Sequence, residues 1–229
     1  MPSTALTDFQ RRLLEVNSLL AADPTRTGKI PLNPELTGAI NRASVVLICS
    51  HIQGYVEDLI AELADAIAAG APVIQPIPVG LIDVHITSLL ADIVASTGQR
   101  REGAIRRLVD EVAPRWSAGT AITPGLLDTQ MIISDFGNPW PTQIRRVFRR
   151  FGITDIFRTI APQRHHVLTQ VLDEIVGKRN EIAHGRLSVS STRADVQRYK
   201  RTAATVCERI DRHTARHVKA ICRTQSLPW

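Results

Sequence analysis

Apolar residues recur at helical spacing along much of this chain, and the interruptions fall at proline, glycine and asparagine. Residues 6–22 read as a first helix, with Thr4 or Thr7 able to cap it and the Asp23-Pro24 to Gly28 stretch ending it. Asn33-Pro34-Glu35 opens the longest predicted element. Asn33 serves as cap, Pro34 occupies the first turn, and Glu35 sits at the positive end of the helix dipole. Leu36, Ile40, Ala43 and Leu47, then Ile52, Val56, Leu59, Leu63 and Ile67, keep helical spacing up to Gly70. That predicts a helix of about 36 residues, about 54 Å long at the standard rise. Gly54 inside it is expected to permit a close helix crossing.

Residues 72–78 are a proline-rich connection, and residues 79–137 are the least periodic part of the chain. Within them residues 81–96 and 103–115 have helical spacing, and SAGTAITPG (residues 117–125) reads as a loop. Residues 142–151 form an amphipathic helix ended by Gly152, followed by a short helix from Thr154 to Ile160. Two more predicted helices, residues 162–187 and 193–222, complete the chain. The expectation is one all-α domain over residues 1–229, with about 72–137 inserted in it.

The 229 residues, 44% hydrophobic and only 4% aromatic, suit an aliphatic helical interior. The N-terminus lacks a basic segment followed by an apolar core, and no apolar run is long enough to span a bilayer, so a cytoplasmic protein without a membrane partner is expected. Three cysteines without CxxC spacing fit a reducing compartment. Residues 1–140 hold 10 Lys/Arg against 15 Asp/Glu, a net −5, whereas residues 141–229 hold 18 against 7, a net +11. This asymmetry points the C-terminal part toward a polyanion.

The sequence RNEIAHG, Arg179 to Gly185, lies in that basic part near the end of a predicted helix. Imidazole exchanges a proton with a ribose hydroxyl near neutral pH, guanidinium holds a phosphate and its developing charge, and an adjacent amide can orient either. Such groups suffice to cut RNA without a metal. On an ideal helix Arg179 lies in the stripe of Leu168, Val171, Leu172, Ile175 and Ile182, with His184 about 140° away. Asn180 and His184, four apart, are placed for an amide contact to the imidazole. The competing structural roles are a packing or salt-bridging arginine and a histidine that stabilises the helix C-terminus ahead of Gly185.

The Arg-Asn-x3-His pattern resembles the signature of the HEPN superfamily, and RASVVLICSHIQGYVEDLI (residues 42–60) and IRRVFRRFGITDIF (residues 144–157) resemble its MAE-type and RiboL-PSP-type branch in the same order. The resemblance implies an antiparallel helical bundle that forms a homodimer, with the Arg179/His184 pairs of both chains in one cleft. It implies a metal-independent endoribonuclease with Arg179, Asn180 and His184 catalytic, in a prokaryotic defence or toxin setting with an antitoxin or defence-system partner protein. It equally admits the superfamily's inert modules, which bind RNA or nucleotide or act as dimeric scaffolds. No cofactor is expected.

Further residues carry alternatives. Glu57 and Asp58 fall where the family has an upstream acid and could orient Arg179 or His184, although ordinary exposed or salt-bridging carboxylates are favoured. Arg186 is a candidate phosphate contact or a solvated cation. Arg145-Arg146 and Arg149-Arg150 bracket Phe148, with Arg145 and Arg149 candidate RNA contacts and the aromatics read as core. Val196, Tyr199, Ala203, Val206, Ile210 and His217 form the predicted buried stripe of the last helix. His213 and His217 have metal-compatible spacing but no third ligand, so no metal is assigned.

Overall fold

Asn33 caps as its position predicts: its Oδ1 accepts the Leu36 amide at 3.0 Å, and the helix that follows runs for 36 residues. The computed structural model describes residues 1–23, 33–70, 77–117, 119–123, 125–186 and 189–229. The breaks expected at residues 24–28 and 72–76 lie outside them. The described residues form α1 (Thr4–Ala21), α2 (Pro34–Ala69), α3 (Val79–Ala95), α4 (Gly98–Arg107), α5 (Thr129–Ile133), α6 (Pro141–Arg150), α7 (Ile156–Ile160), α8 (His165–Ala183) and α9 (Arg193–Cys222), with no strand. α4 continues through a π turn, Leu108–Val112, and a 3-10 turn, Ala113–Trp116. These elements agree with the all-α expectation and add α5, too short to leave a periodic signal. Ser3 rather than Thr4 or Thr7 caps α1, its Oγ accepting the Leu6 amide at 2.9 Å.

The chain packs into two units. The first comprises Met1–Leu59, Phe136–Ile144 and Ile156–His213; the second comprises Ile60–Asp135, Arg145–Asp155 and Thr214–Trp229. In the first unit Phe9, Leu13 and Val16 of α1 are buried with Val45, Ile48, Ile52 and Tyr55 of α2, Leu172 and Ile175 of α8, and Val196, Tyr199, Ala203 and Val206 of α9. Tyr55 satisfies its buried hydroxyl by donating to the Cys207 carbonyl at 2.8 Å. The α2 stripe differs from the expected one at its start. Leu36 is 38% exposed and Ala43 is exposed, while Asn41, Ser44, Val45 and Ile48 face inward. A Cβ on Gly54 would meet only the mobile end of the Arg12 side chain of α1, at 2.8 Å, and no backbone of another helix.

In the second unit Phe148 and Phe151 are buried, as the core reading of these aromatics expects. A Cβ on Gly80 would meet the Arg150 backbone at 2.8 Å, so α3 lies directly on the end of α6. His217 places Nε2 2.6 Å from the Phe151 carbonyl oxygen. The apolar helix α3 buries only Leu81, and Val79 and Val94 are largely exposed.

Candidate functional site

Val171, Leu172, Ile175 and Val176 bury one face of α8, and burial gives out toward its end, where Arg179 is half-buried and His184 exposed. The helix ends at Ala183, earlier than the predicted Leu187, which lies outside the described residues. Gly185 sets that end. With φ of 75° it adopts the left-handed conformation, its N–H donates to the Ile182 carbonyl at 3.0 Å, and the Arg186 N–H donates to the Glu181 carbonyl at 3.1 Å. This pair of bonds is a Schellman cap. His184 is therefore the cap residue itself, with its N–H on the Asn180 carbonyl at 3.0 Å. The backbone beneath the imidazole is fixed while the ring faces solvent.

Arg179 Nη1 donates to the Asn180 side-chain Oδ1 at 3.1 Å. The amide thus orients the arginine; the expected contact from Asn180 to His184 does not form. Among the described residues Arg179 makes no ion pair, and the His184 ring makes no hydrogen bond. On α2 the Arg179 charge acts on Cys49, whose thiol burial pushes up to about 11 against the opposing pull of the guanidinium. Cys49 is eight residues from Glu57, or about 12 Å along the helix. Glu57 accepts a hydrogen bond from Gln53 at 2.9 Å, and Asp58 pairs with Arg12 at 3.0 Å. Within this chain neither carboxylate hydrogen-bonds or pairs with Arg179 or His184.

A polar cluster that sequence reasoning passed over stands immediately before the motif. Glu174 accepts Arg198 Nη2 on both oxygens, at 3.0 and 2.8 Å, and accepts the Tyr199 hydroxyl, with Lys178 Nζ at 3.6 Å. Burial acts to raise the Glu174 carboxyl, but the Tyr199 hydroxyl and Arg198, with the Lys178 charge, hold it below the usual range. Lys178 also donates to the Ser190 carbonyl at 3.1 Å and lies 3.3 Å from Ser191 Oγ, tying α8 to the approach to α9. The Glu174/Lys178 spacing and the tyrosine in an apolar stripe were the available signals. Both are too common to single out.

A profile of the RiboL-PSP-HEPN family matches residues 7–216. The chain belongs to the RiboL-PSP-HEPN family. No curated protein and no solved structure matches it. The match runs from within α1 through most of α9 and includes the whole motif of this HEPN chain.

Three of the four α6 arginines are paired with acids. Arg145 pairs with Asp155 at 3.1 Å, Arg146 with Asp135 at 3.1 Å, and Arg150 with Asp135 at 2.9 Å, so these three brace the second unit. Arg149 is exposed, and Arg145 and Arg149 belong to the second unit while Arg179 and His184 belong to the first. Arg186 stands 3.9 Å from Glu181, with both side chains at least half exposed, a weak pairing that an anion can displace. Among the described residues no group of three His, Cys, Asp or Glu could hold a metal, and no helix is long and apolar enough to cross a membrane.

Proposed function

We propose that this HEPN chain is a metal-independent endoribonuclease. His184 exchanges the proton of the ribose 2′-hydroxyl or of the leaving oxygen, and Arg179 holds the phosphate as charge builds on its oxygens. The 2′-oxygen bonds to phosphorus, the bond to the 5′-oxygen of the next nucleotide breaks, and the products are a 2′,3′-cyclic phosphate and a 5′-hydroxyl. The observation that carries this reading is the state of Arg179. Arg198 and Lys178 are occupied by Glu174, whereas Arg179 is positioned by a neutral amide and keeps its full charge for a ligand. His184, held at a rigid cap with its ring in solvent, supplies the proton-transfer group.

Arg179 and His184 lie on different faces of one helix, so the reading places the pairs of two chains in a shared cleft across a twofold axis. The exposed or half-exposed Leu36, Ile40, Ala43 and Leu47 of α2 supply apolar surface of the kind a dimer covers. From the family we infer a prokaryotic defence or toxin setting, with cellular or invader RNA as target and an antitoxin or defence protein as partner.

The test is cleavage of RNA in EDTA by wild type and by His184→Ala, with product ends identified. Wild type should leave cyclic phosphates, and the variant should lose about 10² to 10⁴ in rate while retaining fold and RNA binding. Mixing the inactive Arg179→Ala and His184→Ala proteins should restore part of the activity, because a mixed dimer rebuilds one Arg179/His184 combination across the axis. Binding without any cleavage by wild type would replace this reading with that of an inert RNA-binding module.

A further inference from the structure

The first unit holds a second concentration of positive charge, apart from the motif. Where the last turns of α1 meet the start of α9, a cavity of about 530 Å³ is lined by Asn17, Leu20, Ala21, Arg193, Gln197, Lys200 and Arg201. Its size falls in the roughly 300–1,000 Å³ range of ligand-binding clefts. Residues 193, 197, 200 and 201 are spaced i, i+4, i+7 and i+8, which sets them along one face of α9.

Each cation in the cavity is held by a neutral group or by none. Arg193 Nη1 donates to the Leu20 carbonyl at 2.8 Å, Lys200 donates to Asn17 Oδ1, and Arg201 is exposed with no hydrogen bond or ion pair among the described residues. Among the described residues no carboxylate lines the cavity. Three like charges therefore stand uncompensated around one space, with Asn17 and Gln197 adding amide donors and Leu20 and Ala21 an apolar wall. This differs from the cluster around Glu174 and from the α6 arginines, where acids neutralise the cations.

We propose that this groove binds the sugar-phosphate backbone of single-stranded RNA, with Lys200 and Arg201 contacting phosphates and Arg193 fixing the wall. It gives the substrate a second anchor on the same unit that carries Arg179 and His184. The identity of the polyanion rests on the ribonuclease reading above. The charge pattern is the groove's own.

Binding is measured by anisotropy of a labelled single-stranded oligoribonucleotide in EDTA across a salt series, in a His184→Ala background so that the strand stays intact. Lys200→Ala/Arg201→Ala should weaken binding about 10- to 30-fold at 0.1 M salt and lower the salt slope by about 1.4, at about 0.7 per lost phosphate contact. Because Arg201 is exposed and unpartnered, Arg201→Gln alone should keep its fold, weaken binding about fivefold and lower the slope by about 0.7. RNA binding that is identical in Arg201→Gln and its parent overturns the groove while leaving cleavage by wild type as independent evidence for the motif. A parent that binds no RNA at low salt overturns the groove as well, and concurrent RNA cleavage by wild type would show that the ribonuclease reading survives it.

Discussion

Asn180→Asp is the sharpest probe of how the motif works, since it exchanges one atom group and leaves the shape in place. Asn180 Oδ1 accepts Arg179 Nη1 at 3.1 Å, and an aspartate oxygen can accept the same bond. What changes is charge. A phosphate on the opposite side of the guanidinium would sit about 6 Å from the new carboxylate, a repulsion of about 3 kcal/mol at an effective dielectric of 20 and under 1 kcal/mol in bulk water. Arg179 is half-buried, so the cost should fall between these limits, about 1–3 kcal/mol, or about five- to a hundredfold in kcat/KM. Asn180→Ala removes only the orienting bond, worth about 1 kcal/mol net, or about fivefold. The expected order is therefore Asn, then Ala, then Asp. Single-turnover cleavage of a fluorophore-quencher RNA in EDTA reads the rates, and urea unfolding checks that both variants fold. Aspartate cutting faster than alanine would refute the claim that Asn180 positions Arg179 without neutralising it.

Two further outcomes follow from the same geometry. Gly185→Ala meets no neighbouring atom within 4 Å, so its cost is the left-handed backbone alone, about 1–2 kcal/mol. It should lower the melting temperature and cleavage together, whereas Gly185→Asn, better tolerated at positive φ, should keep most of both; equal losses would show that the cap does not hold His184. His51 is buried, and burial lowers its pKa, with Glu15 at 3.5 Å raising it and Arg12 lowering it. Its folded pKa lies below the unfolded value of about 6.5, so its contribution is fully present above that pH and is lost as pH falls. Wild type should lose more stability than His51→Gln between pH 7.5 and 5, and parallel melting curves would refute this.

The sequence by itself determined the helical class, the full extent of α2 from its Asn33-Pro34-Glu35 start, the bounds of α9 and the family, because caps, dipoles and apolar spacing are local and RNEIAHG is contiguous. It also located His184 at a helix end, since Gly185 signals its own left-handed turn. Tertiary structure decided which charges stay free. The cations of α6 look alike in sequence, yet Asp135 and Asp155 claim Arg145, Arg146 and Arg150. Lys200 and Arg201 read as ordinary surface charge until α1 is set beside them without an acid. Burial was equally nonlocal: α3 is apolar but buries only Leu81, and α2 turns Val45 and Ile48 inward instead of Ala43 and Leu47. Hydrophobic spacing records which faces can be buried, whereas pairing and burial depend on which distant segment arrives at each face.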